Sequence, residues 1–133
     1  MSKRKRWLAV LAVAVLLAAA MGWYIFVPVV TATRELWNPY DWAEIKIYRN
    51  HQWVMTTLDG ETTQGVLSPA GYTLIAEALE LLKPARFPRQ GALTLDGALY
   101  TIVYAGKASY SDGSGPSRVV AILWEMLSAT VGE

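Results

Sequence analysis

The chain has 133 residues, no cysteine, 53% hydrophobic residues and a formal net charge of +1 at pH 7. Without cysteine it forms no disulfide framework, thiolate metal site or lipidated cysteine anchor. The first six residues contribute a charge of +4, while residues 34–133 carry eight basic and eleven acidic side chains, a balance of −3, which argues against a nucleic-acid-binding surface.

The N-terminal segment predicts a single membrane span. Residues 1–6 form a basic tail, and no charged side chain follows before Arg34. Residues 7–30 would rise about 36 Å as a helix, at roughly 1.5 Å per residue, which is enough to cross a hydrocarbon core of about 30 Å. Flanking positive charge stays in the cytoplasm, so we expect the C-terminal domain outside it. The cations of this topology signal are Lys3, Arg4, Lys5 and Arg6.

A secretory signal peptide is the main alternative to an uncleaved signal anchor, and it would make the protein secreted. Residues 8–17 fit its apolar region and residues 18–20 its cleavage site, but cleavage there leaves an apolar mature N-terminus. A second site at residues 30–32 follows an apolar stretch longer than the usual roughly 7 to 15 residues. A buried core helix is the third alternative. We favour the anchor. The basic, Ala-rich N-terminus and the absence of cysteine are typical of bacterial envelope proteins, so we expect a bacterial cell membrane.

The chain beyond the span divides into a connector and one small domain. Residues 31–42 are interpreted as a juxtamembrane aromatic connector, because Asn38 and Pro39 break regular structure there. Residues 43–133 are interpreted as an extracytoplasmic α+β domain that is large enough to fold without disulfides. We expect a small antiparallel sheet of about four to six strands packed with two helices, in the order strand-strand-helix, strand-strand-helix.

The first half of the domain predicts strands. Residues 43–48 alternate between apolar and polar side chains, which is the pattern of a half-buried strand. Residues 53–58 are rich in β-branched and aromatic side chains and predict a second strand. Residues 59–60, an Asp-Gly pair, favour a tight turn into a third short strand at residues 62–66.

A helix is predicted from Ser68 and Pro69 to the break at Pro84. The Ser68 hydroxyl can accept a hydrogen bond from an unpaired N–H of the first turn, and proline at the first helical position loses no helical hydrogen bond. Residues at helical spacing form an apolar stripe that faces the sheet. The members of this stripe are Leu74, Ile75, Ala78, Leu79 and Leu82.

The second half of the domain predicts a hairpin after an irregular crossing at residues 84–91. Its strands are Leu93 with Leu95 and residues 99–105, joined by a turn at residues 96–97. A further strand at residues 107–111 can extend the sheet.

The end of the chain predicts a turn followed by a helix. Residues 112–116 are a dense turn cluster of Gly, Ser and Pro. Residues 118–131 are locally β-prone, but their length and a helical apolar stripe favour a helix. That stripe consists of Val120, Leu123, Trp124, Leu127 and Val131.

Catalytic, cofactor-binding and metal-binding motifs are absent from the sequence. His51, the sole histidine, lies in the predicted turn between the first two strands without a partnered nucleophile, and is interpreted as an exposed turn residue. One histidine and no cysteine do not make a zinc site. The carboxylate pairs at 59/61 and 77/80 are interpreted as solvated surface, and the Gly-rich run at residues 112–116 lacks the lysine of a phosphate loop. We therefore expect no enzyme and no cofactor.

Aromatic side chains around the connector are the remaining candidate recognition surface. Sugar rings and proline-rich peptides dock on flat aromatic faces, although the same rings can pack the connector onto the sheet or the headgroup region. A second aromatic line, Tyr100 and Tyr104 with Tyr110 as an optional third member, is expected on one face of the second hairpin. The candidate binding residues are Trp37, Tyr40, Trp42, Tyr48 and Trp53.

The sequence leads to one functional hypothesis and one alternative. The hypothesis is a single-pass bacterial envelope protein whose domain binds a protein partner, as an accessory or inhibitory subunit, through exposed strands or the aromatic connector. The alternative is a cell-wall polymer or glycan-binding module that uses the connector. The hypothesis includes the lipid bilayer as a partner. Neither the hypothesis nor the alternative includes a nucleic acid.

Overall fold

The computed structural model describes residues 2–37, 39–82, 87 and 97–131. Within them the chain forms an N-terminal apolar helix, a six-stranded antiparallel sheet and two further helices, so the fold class is α+β as the sequence predicts. The elements in chain order are α1 (Lys3–Phe26), β1 (Val30–Leu36), β2 (Asp41–Ile47), β3 (Gln52–Thr57), β4 (Thr62–Val66), α2 (Pro69–Glu80), β5 (Ala98–Tyr104), β6 (Lys107–Ser111) and α3 (Arg118–Val131).

The six strands run in the order β4-β3-β2-β1-β5-β6, and every neighbouring pair is antiparallel. The first four strands form a meander that ends at β4, and β5, which follows α2 in the chain, lies on the other side of β1. Val30, at the start of β1, lies opposite Ile47 on one side and Tyr104 on the other. β1 is therefore a central strand, and only three residues separate it from the end of α1.

The core lies between one face of the sheet and the helices α2 and α3. Alternation along the strands directs small and branched apolar side chains to this face, because successive residues point to opposite sides of a pleated strand. α3 adds Trp124, which is 1% exposed. The other buried side chains of this cluster include Val30, Ala32, Ala43, Ile45, Ile47, Trp53, Ile75, Leu79, Ile102, Val120, Leu123, Leu127 and Val131.

The segment predicted as a connector contains a strand that the sequence analysis does not anticipate. Residues 30–36 pair along their whole length with both β2 and β5, and Val30 and Ala32 are buried. The expected irregular structure at 31–42 is therefore wrong for most of its length. The apolar–polar alternation that predicts a strand is weak here, because the core-facing positions after Val30 are Ala32, which is small, and Arg34, which is charged.

The expected order of elements is correct for the second half of the domain and wrong for the first. Among the described residues, two strands precede α3 but four precede α2, so the elements described there do not repeat a strand-strand-helix unit. The predicted third strand, the turn with Gly60 at φ +83°, the strand at 107–111 and the helix at 118–131 are confirmed. The predicted hairpin partner, Leu93 and Leu95, lies outside the described residues, as does Asp96.

The cap of α2 is confirmed, and its apolar stripe is narrower than predicted. The Ser68 hydroxyl accepts a hydrogen bond from the Gly71 N–H at 3.0 Å. Leu74, expected in the core, is 55% exposed, whereas Ile75, Leu79 and Leu82 are buried. These three follow one row at spacings of four and three residues, and Leu74 is rotated about 100° away from Ile75.

Helix α1 carries no buried residue and is apolar and long enough to cross a membrane by length and composition. A signal sequence meets the same test, so the helix by itself leaves the two alternatives open. It is not a core helix of the domain, because none of its side chains enters the core.

Candidate functional site

The five aromatic residues predicted as a recognition surface do not come together in the structure. Trp53 is only 9% exposed and belongs to the core, where its neighbour on β4 is Gly65. Tyr48 follows the end of β2 that adjoins α1, while Trp42 lies near the other end of the same strand. Five to six residues of strand separate the two by about 20 Å.

Trp37 and Tyr40 do meet, at the turn between β1 and β2, but they do not form a flat platform. Their ring centroids are 4.9 Å apart and the rings are tilted by 59°. Trp37 is half-buried, and its indole Nε1 is buried without a hydrogen-bond partner in the described part of the chain. Tyr40 is the more exposed of the pair, at 45%. A sugar ring that stacks on both faces at once is not accommodated by this geometry.

The second aromatic line is split between the two faces of the sheet, contrary to expectation. Tyr100 and Tyr104 lie on the helix-covered face and pack against the core. Tyr110 lies opposite Thr101, and therefore on the other face. The prediction is wrong for Tyr110 because of the register between β5 and β6. Paired residues share a face of the sheet, and Thr101 points to the face opposite that of Tyr100 and Tyr104.

His51 occupies the turn between β2 and β3, as predicted, and is only half-exposed. Its φ of +72° places it in the left-handed region, and its ring stacks on that of Tyr72 with centroids 4.1 Å apart. Its carbonyl accepts a hydrogen bond from the Leu67 N–H at 2.8 Å. Among the described residues no group of three His, Asp or Glu side chains is arranged to hold a metal ion. These contacts give His51 a structural role at the turn.

Arg34 is a core-facing residue of β1 that the sequence analysis does not single out. Its guanidinium lies 4.7 Å from the ring centroid of Trp124 and contacts the Asp41 carboxylate at 3.2 Å. Its Nε and the Trp124 Nε1 are buried without a hydrogen-bond partner in the described residues. The available signal is a charged residue at a strand position that alternation assigns to the buried face.

Carboxylates with a lowered pKa lie in turns and have local causes. A hydrogen bond from the Thr57 hydroxyl lowers the pKa of Asp59, and hydrogen bonds from the Ser114 hydroxyl and N–H lower that of Asp112. Both carboxylates are exposed and accept from residues two positions away, as in ordinary turns. They give no sign of paired acid and base groups.

The two edges of the sheet differ in how their backbones are occupied. At the β6 edge, the Tyr110 N–H donates to the Phe87 carbonyl at 2.7 Å, and the strand begins with Lys107. A charged residue and a backbone partner are both devices that protect an edge strand from pairing with another chain.

The β4 edge has neither device among the described residues. Glu61 and Leu67 direct their backbones towards β3, because Glu61 accepts from the Thr57 N–H at 3.0 Å and Leu67 donates to His51. Alternation then directs the N–H and C=O groups of Thr62, Gln64 and Val66 outwards. The strand Thr-Thr-Gln-Gly-Val contains no charge and no proline, and Val66 is 69% exposed. The sequence predicts this strand but not its position at an edge.

The junction between α1 and the domain is the second feature with a functional meaning. The Val29 N–H donates to the Ile47 carbonyl at 2.7 Å, and the Arg49 guanidinium lies 3.7 Å from the ring centroid of Tyr24. At the far end of α1, the Ser2 hydroxyl accepts from the Lys5 N–H. The first turn of that helix consists of the exposed cations Lys3, Arg4, Lys5 and Arg6.

Comparison with known proteins adds no functional information. No family model, no curated protein and no solved structure gives a significant match to the chain.

Proposed function

We propose that this chain is a single-pass membrane protein whose extracytoplasmic domain binds a protein partner by accepting an extended segment of it alongside β4. The observation that carries the proposal is the outward backbone of Thr62, Gln64 and Val66, on an edge that lacks the usual protection among the described residues. In this proposal the domain is an accessory or inhibitory subunit of a bacterial cell envelope and not an enzyme.

Anchoring by an uncleaved α1 is supported by the position of β1. Cleavage after residue 32 would remove Val30 and Ala32, which are 1% and 0% exposed and belong to a central strand of the sheet. Cleavage after residue 20 would leave the exposed apolar side chains Trp23 and Phe26 on a soluble protein. Both alternatives cost stability or solubility, whereas the intact helix places these groups in lipid.

Strand addition fits the size and chemistry of the edge. β4 has five residues, which at about 3.3 Å each match an added strand of roughly 17 Å. Main-chain hydrogen bonds to the outward groups would provide affinity, and contacts with the side chains of Gln64 and Val66 would provide selectivity. A glycan has less support, since the Trp37 and Tyr40 rings are tilted rather than coplanar.

The test uses the full chain in its native membrane with a photocrosslinking amino acid at Thr62. We expect one crosslinked protein, and we expect Gln64→Pro to reduce its yield about tenfold, because proline removes an outward N–H and obstructs the added strand. Gln64→Lys should act in the same direction by charging the edge. The matched control is Ala108→Pro on the β6 edge, which should leave the yield unchanged.

The proposal fails if Gln64→Pro and Ala108→Pro give equal yields while both variants keep the wild-type circular dichroism spectrum. It also fails if crosslinking from Thr62 reaches many proteins in proportion to their abundance, since a specific strand site selects its partner.

A further inference from the structure

The domain is held close to the end of α1, a point that matters once α1 is taken as the membrane anchor of the proposed function. Phe26 ends the helix and Val30 begins β1, so four Cα steps span at most about 14 Å. The Val29–Ile47 hydrogen bond shortens the reach further by joining the linker to β2. The end of the sheet nearest α1, where β1 begins, therefore lies at the depth of the lipid headgroups.

Two hairpin turns flank β1 at this same end of the sheet. Because Val30 lies opposite both Ile47 and Tyr104, the β2–β3 turn at residues 48–51 and the β5–β6 turn at residues 105–106 leave the sheet beside the start of β1. Each turn is centred about one and a half strand spacings, or roughly 7 Å, from β1, on opposite sides. The two turns and the C-terminal end of α1 thus form three points along one end of the sheet.

Each flanking turn carries an exposed cation. Arg49 lies in the β2–β3 turn and Lys107 follows the β5–β6 turn as the first residue of β6. The contact of Arg49 with the Tyr24 ring fixes the first turn against the last part of α1, where tyrosine is favoured at a membrane interface. The acidic side chain joined to this end of β5 is Glu80, which accepts a hydrogen bond from Tyr104.

We infer that the domain rests on the extracytoplasmic leaflet through these two turns, with Arg49 and Lys107 binding the phosphates of anionic phospholipids. This inference rests on the membrane anchoring in the proposed function but is independent of the β4 edge. A phosphate group suits a lysine or arginine donor, and cations at a membrane surface contribute about fivefold each in binding to anionic lipid. Contact on both sides of α1 restricts the tilt of the domain and presents β4 at a fixed height.

The test labels the full chain with a fluorophore at single cysteines, which are unique because the native chain has none. Asn50→Cys and Ala105→Cys place the label in the two turns, and Leu58→Cys places it in the β3–β4 turn, about 20 Å away along β3. The protein is reconstituted in phosphatidylcholine vesicles that contain phosphatidylglycerol and a headgroup-nitroxide lipid. We expect strong quenching at positions 50 and 105 and little at position 58.

Charge variants identify the groups that bind lipid. Lys107→Gln should raise the phosphatidylglycerol fraction needed for half-maximal quenching at position 105 about fivefold. Arg49→Gln should do the same at position 50, whereas Arg49→Lys should retain most of the effect. The matched control is Arg118→Gln, which removes an exposed cation from the start of α3 and should change neither value.

Equal quenching at all three positions, in a chain that stays with the vesicles after an alkaline carbonate wash, overturns the inference and leaves the membrane anchoring standing. If quenching is strong in the turns but the phosphatidylglycerol fraction for half-maximal quenching is unchanged in Lys107→Gln and Arg49→Gln, the proposed contact with lipid phosphates is overturned. Loss of the chain from the vesicles in the carbonate wash overturns the anchoring and this inference together.

Discussion

Gly65 and Trp53 show how one small residue moves an aromatic side chain from the surface to the core. Gly65 lies opposite Trp53 across β3 and β4, and a Cβ at Gly65 would lie 2.8 Å from two indole carbons. The absence of that atom lets the ring lie flat over the edge strand and join the core. From sequence, Trp53 is an aromatic residue in a strand, and its burial depends on a residue twelve positions away.

Replacing Gly65 by alanine is expected to destabilise the domain by about 1 to 3 kcal/mol, because the indole is packed in the core and has to shift. Urea unfolding of the full chain in detergent, followed by tryptophan fluorescence, measures the change. Gln64→Ala on the same strand is the matched control and should have little effect. Trp53→Phe should recover part of the loss in the double variant, and an additive double variant would contradict the contact.

Arg34 marks the limit of residue-level prediction from sequence. A charged residue on the core face of a central strand contradicts simple alternation, and here the indole of Trp124 and the carboxylate of Asp41 surround it. Trp124 is distant in sequence, and Asp41 lies on the next strand, beyond the connection from β1 to β2. Trp124 is brought to Arg34 by the packing of α3 on β1, and Asp41 by the pairing of β1 with β2, and the pattern around Arg34 encodes neither.

At the scale of elements, the Tyr104 hydroxyl joins the end of β5 to the end of α2. It donates to the Glu80 carboxylate at 2.7 Å, although the sequence analysis interprets Glu80 as solvated surface. Burial, followed by this hydrogen bond, raises the pKa of Tyr104 to about 12. The hydrogen bond links α2 to β5, the strand beside β1.

This pKa predicts a loss of stability at alkaline pH. The tyrosine of the unfolded chain titrates near pH 10, so the contribution of the neutral hydroxyl is complete below about pH 10 and is lost as the pH rises to about 12. Tyr104→Phe should lower the free energy of unfolding by about 1 kcal/mol at neutral pH and remove this part of the alkaline decline.

The measurement is the free energy of unfolding in urea between pH 7 and about 12. Tyr40→Phe, at an exposed tyrosine in the turn between β1 and β2, leaves the Tyr104–Glu80 contact intact and is the matched control. An unchanged alkaline decline in Tyr104→Phe would assign the effect to other groups.

Elements with a strong local signal are predicted well. Ser68 and Pro69 mark the start of α2, and the apolar stripe of α3 identifies a helix although its first residues are β-prone. β1 is missed because its signal is weak at Ala32 and Arg34, and because two neighbouring strands, rather than its own pattern, hold it in the sheet. Strand pairing is a long-range property that a local window does not contain.

At the scale of the whole molecule, the direct connection of α1 to a central strand predicts an intact anchored chain. The full chain should remain with membranes after an alkaline carbonate wash and should keep its N-terminal residues, as mass spectrometry can check. Replacing Val13 and Leu16 by lysine should release it, since each charge near the centre of a span costs on the order of 3 kcal/mol. Alanine at both positions is the control and should retain the chain.

A soluble product that begins near residue 21 or residue 33 would contradict this prediction and would identify α1 as a signal peptide. A product beginning at residue 33 would in addition lack the buried Val30 and Ala32. We would then expect it to be less stable than the intact domain by several kcal/mol, because two core side chains are removed from the centre of the sheet.

Local patterns along the chain are enough to predict the uncharged N-terminal segment, the α+β class, the two helices of the domain and most of its strands. These follow from charge, composition and periodicity, which act over a few neighbouring residues. Three features emerge only in the folded chain: β1 lies inside the sheet, Trp53 is buried and β4 is an edge strand. Each of these depends on which strands become neighbours, and antiparallel pairing across distant segments is decided by the packing of the whole core.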